Sequence, residues 1–504
     1  MASAVANRGA ASGRGAPTGL SNGPLVLTLD VGTSSVRAQL FDQDARPVPG
    51  SETKFEYSSR LGADGTAEVG VRKLERLALR ALSGTVALAG RSAEIAAVGV
   101  STFWHGLAGL DAHSRPTTPL ILWMDTRSRR QAQQLRGELD GEAVRARTGC
   151  PIHPSYWPAK LAWLRQSAPD AWSRTQHWVS FGDLLYLRLF GELATSPSMA
   201  SGTGLRRLAG GWDPELLERL GVRGETLPPE LDEMCGLKPG PRRRWPQLSG
   251  AIWLSAAGDG ALANLGSGCV DPSRRALTVG TSGALRAMTD RPPGRLAHGL
   301  WCYLLEPGRY IVGGSLSSGG NLYAWLVRTL RLDVPGLDRR LARMRPAGTN
   351  LTFLPLLAGE RSLGFAPHAS GAIAGLTQAT TADEIARAGM EAVALTFAGV
   401  DRALDQTVPG AVRLVASGAA IVSSPAWAQM MADAIGKPLS VSYSALEASS
   451  QGAAELALKR LGLKRRPRPQ PGRNVEPREP AHAAYADAYR RQRWLYRALI
   501  EGSS

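Results

Sequence analysis

The 504-residue chain predicts two α/β domains related by internal duplication and separated by a cleft. Three observations lead there. The stretch VGTSSVRA, from Val31, nearly repeats as VGTSGALRA, from Val279, roughly half the chain away. Each copy lies between β-rich runs, with further strand signals and helical patterns after it. The length, finally, exceeds what one compact core usually holds.

The elements follow in order. The first 24 residues are small, polar and glycine-rich, lack the apolar stretch of a secretory leader, and read as a disordered tail. In LVLTLDVGTSSVRAQLFDQDARPV two strands join antiparallel through a tight turn at Gly32, and DQDARP ends the second. IAAVGVSTFWHGLAGLDAHSRP carries another strand signal, with ILWMDTR beyond it. RALTVGTSGALRAMTDRPP has the layout of the first hairpin, and YIVGGSLSSGGNLYAWLV supplies its matching later run. Apolar residues recur at helical spacing in VRKLERLALRALSGTVALAG, PAKLAWLRQSAPDAW, ADEIARAGMEAVALTFAGVDRAL and SPAWAQMMADAIG. In the last of these Ser423 and Ser424 are candidate N-caps, and Trp427 reads as core. The domains are therefore expected over 25–266 and 267–462. A Pro/Arg-rich strap, KRRPRP from Lys464, and a C-terminal helix complete residues 463–504, the helix returning to the first domain.

Hydrophobic content of 43% and charged content of 20% fit a soluble globular protein, and no apolar run approaches the about 18 residues of a membrane span. Cys150, Cys235, Cys269 and Cys302 are widely spaced without a CxxC pair, as in a cytoplasmic protein with reduced thiols. The net charge of +16 comes largely from arginine, part of it in PRRRW and in the strap. That distribution disfavours nucleic acid as a partner and suits attraction for phosphate-bearing small molecules.

Chemistry concentrates at the two turns and at one GDG. Two facing hairpins with glycine-centred turns can grip the ends of a triphosphate through backbone N–H groups. Asp30 precedes the first turn, whereas Thr278 precedes the second. Asp259, in GDG between IWLSAA and ALANLG, is a carboxylate at a helix start. The residues alone leave it open as a base or as a cap.

Nine segments in order, LDVGTSSVRA, FWHGLAGLD, LILWMDTRS, GDGALANLGSG, LTVGTSGALR, GGSLSSGGNLYAWL, LPLLAGERS, ASGAAIVSSPAWAQMMADAIG and SSQGAAELAL, make the chain resemble the FGGY carbohydrate kinases. TGCPIHPSYWPAKLAWLRQSAPDAW and CYLLEPGRYIVGG look most like the gluconokinase branch. The resemblance implies two ribonuclease H-like domains of the sugar kinase, actin and Hsp70 superfamily. It also implies transfer of the γ-phosphoryl of ATP to a hydroxyl of a small sugar or sugar acid, gluconate before a ketopentose or polyol. A non-catalytic ATP-binding switch or sugar sensor is the alternative of another class.

Residue by residue, the resemblance makes Asp259 the base and Asp30 the Mg²⁺ ligand. Gly32, Thr33, Ser34, Gly280 and Thr281 become the phosphate turns, with Arg37 a phosphate contact. His105 and Asp125 would meet sugar hydroxyls, and Arg127 would support Asp125 or meet an acidic group. His153 and Lys160 are further sugar-site candidates. Gly320 and Gly418 fall in the nucleotide region, where Ala419 stands in place of a second glycine and puts the close approach of the backbone in doubt. Glu360 and Arg361 are expected to pair with each other. ATP and Mg²⁺ are the implied cofactors, no membrane partner is implied, and the oligomeric state, a homodimer included, is left open.

Overall fold

In the computed structural model of the chain, each Gly-Thr-Ser turn closes the first hairpin of its own sheet, and the two sheets share one topology. The structure describes residues 23–502 apart from 91–92, 232, 235–236, 411, 443–447 and 464–471. The expected tail, apart from its last two residues, the KRRPRP strap and Cys235 lie outside the described residues.

In the first sheet, β1 (Leu25–Val31) pairs antiparallel with β2 (Ser35–Phe41), which pairs antiparallel with β3 (Thr53–Glu56). On its other side β1 runs parallel to β4 (Ile95–Thr102), and β4 runs parallel to β5 (Ile252–Leu254) and to the short β6 (Ala257–Gly258). The second sheet repeats this. β7 (Arg274–Val279) pairs antiparallel with β8 (Gly283–Thr289), and β8 antiparallel with β10 (Arg309–Leu316). β7 also runs parallel to β11 (Arg413–Ser417), and β11 parallel to β12 (Leu439–Ser442). An outer strand β9 (Trp301–Glu306), antiparallel to β10, has no counterpart in the first sheet.

The strands read as their positions demand. β4, central and parallel to its neighbours, is buried along nearly all of IAAVGVST, as expected for a strand covered on both faces. α1 (Val71–Ala89) buries Leu74, Ala78, Ala81, Leu82, Thr85 and Val86, a stripe at helical spacing. α5 (Ala382–Thr407) starts in a capping box of Thr381 and Glu384. In α7 (Pro425–Ile435) Ser424 is the N-cap, and Trp427 is buried with its Nε1 donating to the Met390 carbonyl at 3.0 Å. The segment PAKLAWLRQSAPDAW forms two helices rather than one. α2 (Trp157–Ser167) stops at Ala168 because Pro169, starting the next helix, disfavours helical geometry in the residue before it. Among the described residues no helix is long and apolar enough to cross a membrane.

Two C-terminal helices exchange their expected sides. α8 (Ala448–Arg460) packs on the first domain, against α3 (Asp259–Gly266), β1 and β4. A Cβ at Gly452 would overlap the Leu262 carbonyl, and one at Gly266 the Ala448 carbonyl, so only glycine lets the two helices approach this closely. The C-terminal helix α9 (Glu479–Tyr496), expected on the first domain, packs instead on the second, against α5, α7 and the strand Thr352–Leu354. The cause lies just upstream: β13 (Gly472–Val475) adds to the edge of the second sheet beside β12 and delivers the chain to that side. The polar tips of the helix then find their partners there. Tyr485 donates to Glu391 Oε1 at 2.9 Å, and Gln492 Nε2 to the Phe353 and Ala392 carbonyls at 3.1 Å.

Candidate active site

Two cavities in the cleft meet at one carboxylate and one guanidinium. The larger, about 690 Å³, is lined on its second-domain side by Gly280, Thr281, Gly320, Gly418 and Ala419. The smaller, about 220 Å³, is lined by Thr33, His105, Trp123, Tyr303 and Arg361 among others. Asp259, Gly260, Thr278 and Arg286 line both.

The larger cavity is walled by backbone packed too closely for side chains. Gly320 N donates to the Gly280 carbonyl at 2.7 Å, and Asn321 N to the Thr281 carbonyl at 3.0 Å, pinning the second turn to the start of α4 (Gly320–Thr329). Gly418 has φ +99°, and a Cβ on it would overlap the Val279 carbonyl. Ala419 is the first residue of α6 (Ala419–Ser423) and is not among the residues with positive φ. The glycine-only conformation belongs to Gly418 alone, so alanine at 419 costs the turn nothing. This cradle has the shape and the donors that suit a nucleotide's phosphates.

Asp259 opens α3, its Oδ1 accepting from Gly260 N at 2.7 Å. Burial, with the charge of Asp30 beside it, lifts its pKa to about 6, while Arg286, the Gly260 N–H and Arg361 pull the other way. Such a carboxylate is ionised at neutral pH and can accept a proton. Gly258 serves the packing of the protein, whereas Gly260 lines both cavities. A Cβ at Gly258 would overlap the Trp104 ring, so GDG is small because an indole packs across it.

Residues 25–266 match the FGGY family of carbohydrate kinases, N-terminal domain, and residues 276–461 its C-terminal domain. The chain belongs to the FGGY family of carbohydrate kinases. It is a phosphotransferase acting on an alcohol group. This carbohydrate kinase is 28% identical to a gluconokinase of Bacillus subtilis, covering 87% of this chain and 88% of that one. It is 32% identical to a xylulose kinase of Streptomyces coelicolor, over 86% and 89%. A crystal structure of gluconate kinase from Lactobacillus acidophilus superposes with a TM-score of 0.86 at 26% identity, over 94% and 98% of the two chains.

The first turn of the kinase does less at the cavities than the second. Thr33 reaches the smaller cavity and accepts from Trp123 Nε1 at 3.2 Å, whereas Gly32, Ser34 and Arg37 line neither. Arg37 faces Asp30 across the hairpin and forms an ion pair with Glu52 at 3.5 Å. The two hairpins differ in register: Arg37 lies opposite Asp30, whereas Thr278 lies opposite Ala284 and Arg286 opposite Ala276. Thr278 brings no negative charge, so Arg286, whose Nη1 donates to Thr278 Oγ1 at 3.4 Å, keeps a guanidinium for the cavities.

Asp30 itself suits a divalent cation. Its Oδ2 accepts from Ser449 Oγ at 3.0 Å, and its Oδ1 is buried with no hydrogen-bond partner among the described residues. Burial raises its pKa, against the pull of Ser101, Arg37 and Ser449. An orphaned carboxylate oxygen close to a second carboxylate fits Mg²⁺, which takes one or two protein carboxylates and fills its shell with water and phosphate oxygens. Ser449, from α8, is 419 residues from Asp30 in the chain, and no sequence signal joins them.

Of the expected sugar ligands, the fold brings only His105 to the smaller cavity. His105 has φ +67°, its carbonyl accepts from Lys160 Nζ at 2.6 Å, and its Nδ1 lies 2.5 Å from the Gly202 carbonyl. A carbonyl only accepts, so Nδ1 carries the proton and Nε2 is left as an acceptor. Burial, with Arg361 beyond it, pushes the His105 pKa well below 6.5, so the ring is neutral. Lys160 is a brace behind it, its pKa lowered to about 7 chiefly by burial. Asp125 and Arg127 do not line the cavity. They form an ion pair at 2.7 Å, in which Arg127 supports Asp125 as expected, with Ala67 N and Glu68 as further partners. His153 is buried with its Nδ1 accepting from Ser155 N at 3.2 Å, and burial lowers its pKa to about 3.

The second domain supplies what the motifs did not foretell. Trp301 and Tyr303, on the added strand β9, stack at 4.2 Å and reach across to Trp104 of the first domain. Tyr303 also meets Tyr156 hydroxyl to hydroxyl at 2.5 Å. Glu360 and Arg361, expected to pair, part company. Glu360 turns to Tyr496 and the Leu363 N–H, while Arg361 lies over the Trp123 ring at 4.6 Å, at the cavity wall.

Proposed function

We propose that this kinase transfers the γ-phosphoryl of ATP to the terminal hydroxyl of gluconate, forming 6-phosphogluconate. The observation that carries the reading is Arg361. It lines the smaller cavity and not the phosphate cradle, and has no ion pair to a carboxylate among the described residues. A guanidinium in such a place matches the planar carboxylate of a sugar acid, whereas a neutral ketopentose offers it no opposite charge.

In this reading the aromatic wall of Trp104, Trp301 and Tyr303 packs the C–H face of the sugar, and His105 Nε2 accepts from one hydroxyl. Asp259 takes the proton of the attacking hydroxyl. Arg286, at the junction of the two cavities, faces the negative charge that passes between them. Asp30 would hold Mg²⁺, whose charge offsets that of the β- and γ-phosphates. Closure of the cleft keeps water from the γ-phosphoryl group.

A coupled ADP-release assay with ATP and Mg²⁺ against gluconate, xylulose, ribulose, glycerol and glucose tests this. Turnover is expected with gluconate, and Arg361→Ala should raise its KM about 10- to 100-fold, as for loss of a charge-assisted hydrogen bond. Turnover confined to a ketopentose, untouched by Arg361→Ala, would replace gluconate by the substrate of the xylulose kinase relatives.

A further inference from the structure

We propose that the C-terminal helix is part of the sugar site, with Tyr496 positioning Arg361 through Glu360. This rests on Arg361 meeting the sugar, as proposed above. The helix lies beyond residues 276–461, the stretch matched by the family's C-terminal domain, so the family domains alone do not contain this arrangement.

The geometry is a short chain of contacts. α9 runs along the second domain and ends at Tyr496, which is buried with Leu495 and Ile500 against Leu354, Leu356 and Ala366. The Tyr496 hydroxyl donates to Glu360 Oε2 at 2.5 Å, and Glu360 Oε1 accepts from Leu363 N at 3.0 Å. One carboxylate thus ties the helix end to the backbone of the rim loop 359–366. The loop is shaped to admit the phenol, since a Cβ at Gly364 would overlap the Tyr496 hydroxyl. Glu360 N donates to the Ala366 carbonyl at 2.9 Å and closes the loop on itself. Arg361 is the next residue along, and it leaves the loop toward the cavity over Trp123.

Glu360 is 5% exposed, so a carboxylate that loses the phenol has no water to replace it and must move, taking the loop with it. A shift of about 1 Å at Arg361 suffices to spoil a bidentate contact with a ligand carboxylate. ATP, held in the other cavity, would not sense it.

The test uses the full-length enzyme with Tyr496→Phe, Glu360→Gln, Arg361→Ala and the Tyr496→Phe/Arg361→Ala double variant. Tyr496→Phe is expected to raise the KM of the accepted sugar about tenfold, leaving kcat and the KM of ATP within about twofold. Glu360→Gln keeps an acceptor for Leu363 and a polar group for the phenol, and should show a smaller rise. In the Arg361→Ala background the Tyr496→Phe effect should fall below about twofold, because both act through one guanidinium. Amide exchange over 359–366, measured without substrate, should accelerate in Tyr496→Phe.

Unchanged exchange in that variant overturns the positioning role whatever the sugar. So does a tenfold rise that persists in full on top of Arg361→Ala, or an equal loss in kcat and ATP affinity. Accelerated exchange together with a collapsing cycle on a neutral sugar upholds the positioning role and defeats only the choice of gluconate.

Discussion

Replacing Asp259 with asparagine should trade activity for stability, with a pH dependence that follows from its surroundings. Burial and the Asp30 charge raise its pKa from the ordinary 3.8 to about 6, which corresponds to about 3 kcal/mol. The sign is a penalty on the folded state. Below about pH 4 the carboxyl is neutral both folded and unfolded, and nothing is lost. Between about pH 4 and 6 the unfolded chain ionises first, and the penalty grows. Above about pH 6 it is complete. Asparagine has the shape of the acid and no charge to bury, so the variant should gain up to about 3 kcal/mol over the parent at pH 8, and close to nothing at pH 4. Urea midpoints at pH 4, 6 and 8 measure the gap. Activity moves the other way. Asparagine cannot take the hydroxyl proton, and kcat should fall by roughly 10²- to 10⁴-fold. In the parent, kcat/KM should decline as pH drops through about 6, to about a tenth of its plateau at pH 5. A variant within tenfold of parental kcat, or one no more stable at pH 8 than at pH 4, would refute the reasoning.

Asp30→Asn removes the charge that helps hold the Asp259 pKa up, so the acid limb of kcat/KM should move to lower pH while half-maximal activity needs more Mg²⁺. A limb that stays in place in a pH–rate profile would break the electrostatic link between the two aspartates. Gly418→Ala forces a side chain into φ +99° against the Val279 carbonyl. It should raise the KM of ATP about tenfold, the scale of 1–3 kcal/mol of backbone strain, and leave the sugar KM alone. Ala419→Gly, at an ordinary φ, should change the ATP KM less than about twofold; a large improvement would show that the turn needs a second glycine after all.

Much of the architecture was written locally. Two near-identical turns with strands on either side were enough to foresee two domains of one topology, because a strand–turn–strand signal depends on residues a few positions apart. Asp259, at a helix start after a strand, was legible for the same reason, and so was the core role of Trp427, from its place on an apolar helix face. Gly280, Thr281, Gly320 and Gly418, named from the family resemblance, all line the larger cavity, and Gly320 and Gly418 sit where a Cβ would crowd neighbouring backbone.

The lining of the smaller cavity was not legible in that way, and the contrast lies in how its parts are assembled. That Arg127 supports Asp125 was among the readings of the motif, and only the fold showed Ala67 and Glu68 completing that pair and Asp125 away from the cavity. Arg361, Trp301 and Tyr303 come from the second domain to a cavity floored by the first, and Ser449 reaches Asp30 from the far end of the chain. The C-terminal helix had an apolar stripe that either domain could have covered. The edge strand Gly472–Val475 placed it on the second, where Glu360 and Glu391 met its tyrosines. Hydrophobic spacing states that a face will be buried, and it carries no information about which distant surface does the burying. That choice rests on strand pairing and on buried polar groups finding partners, and both exist only once the chain is folded.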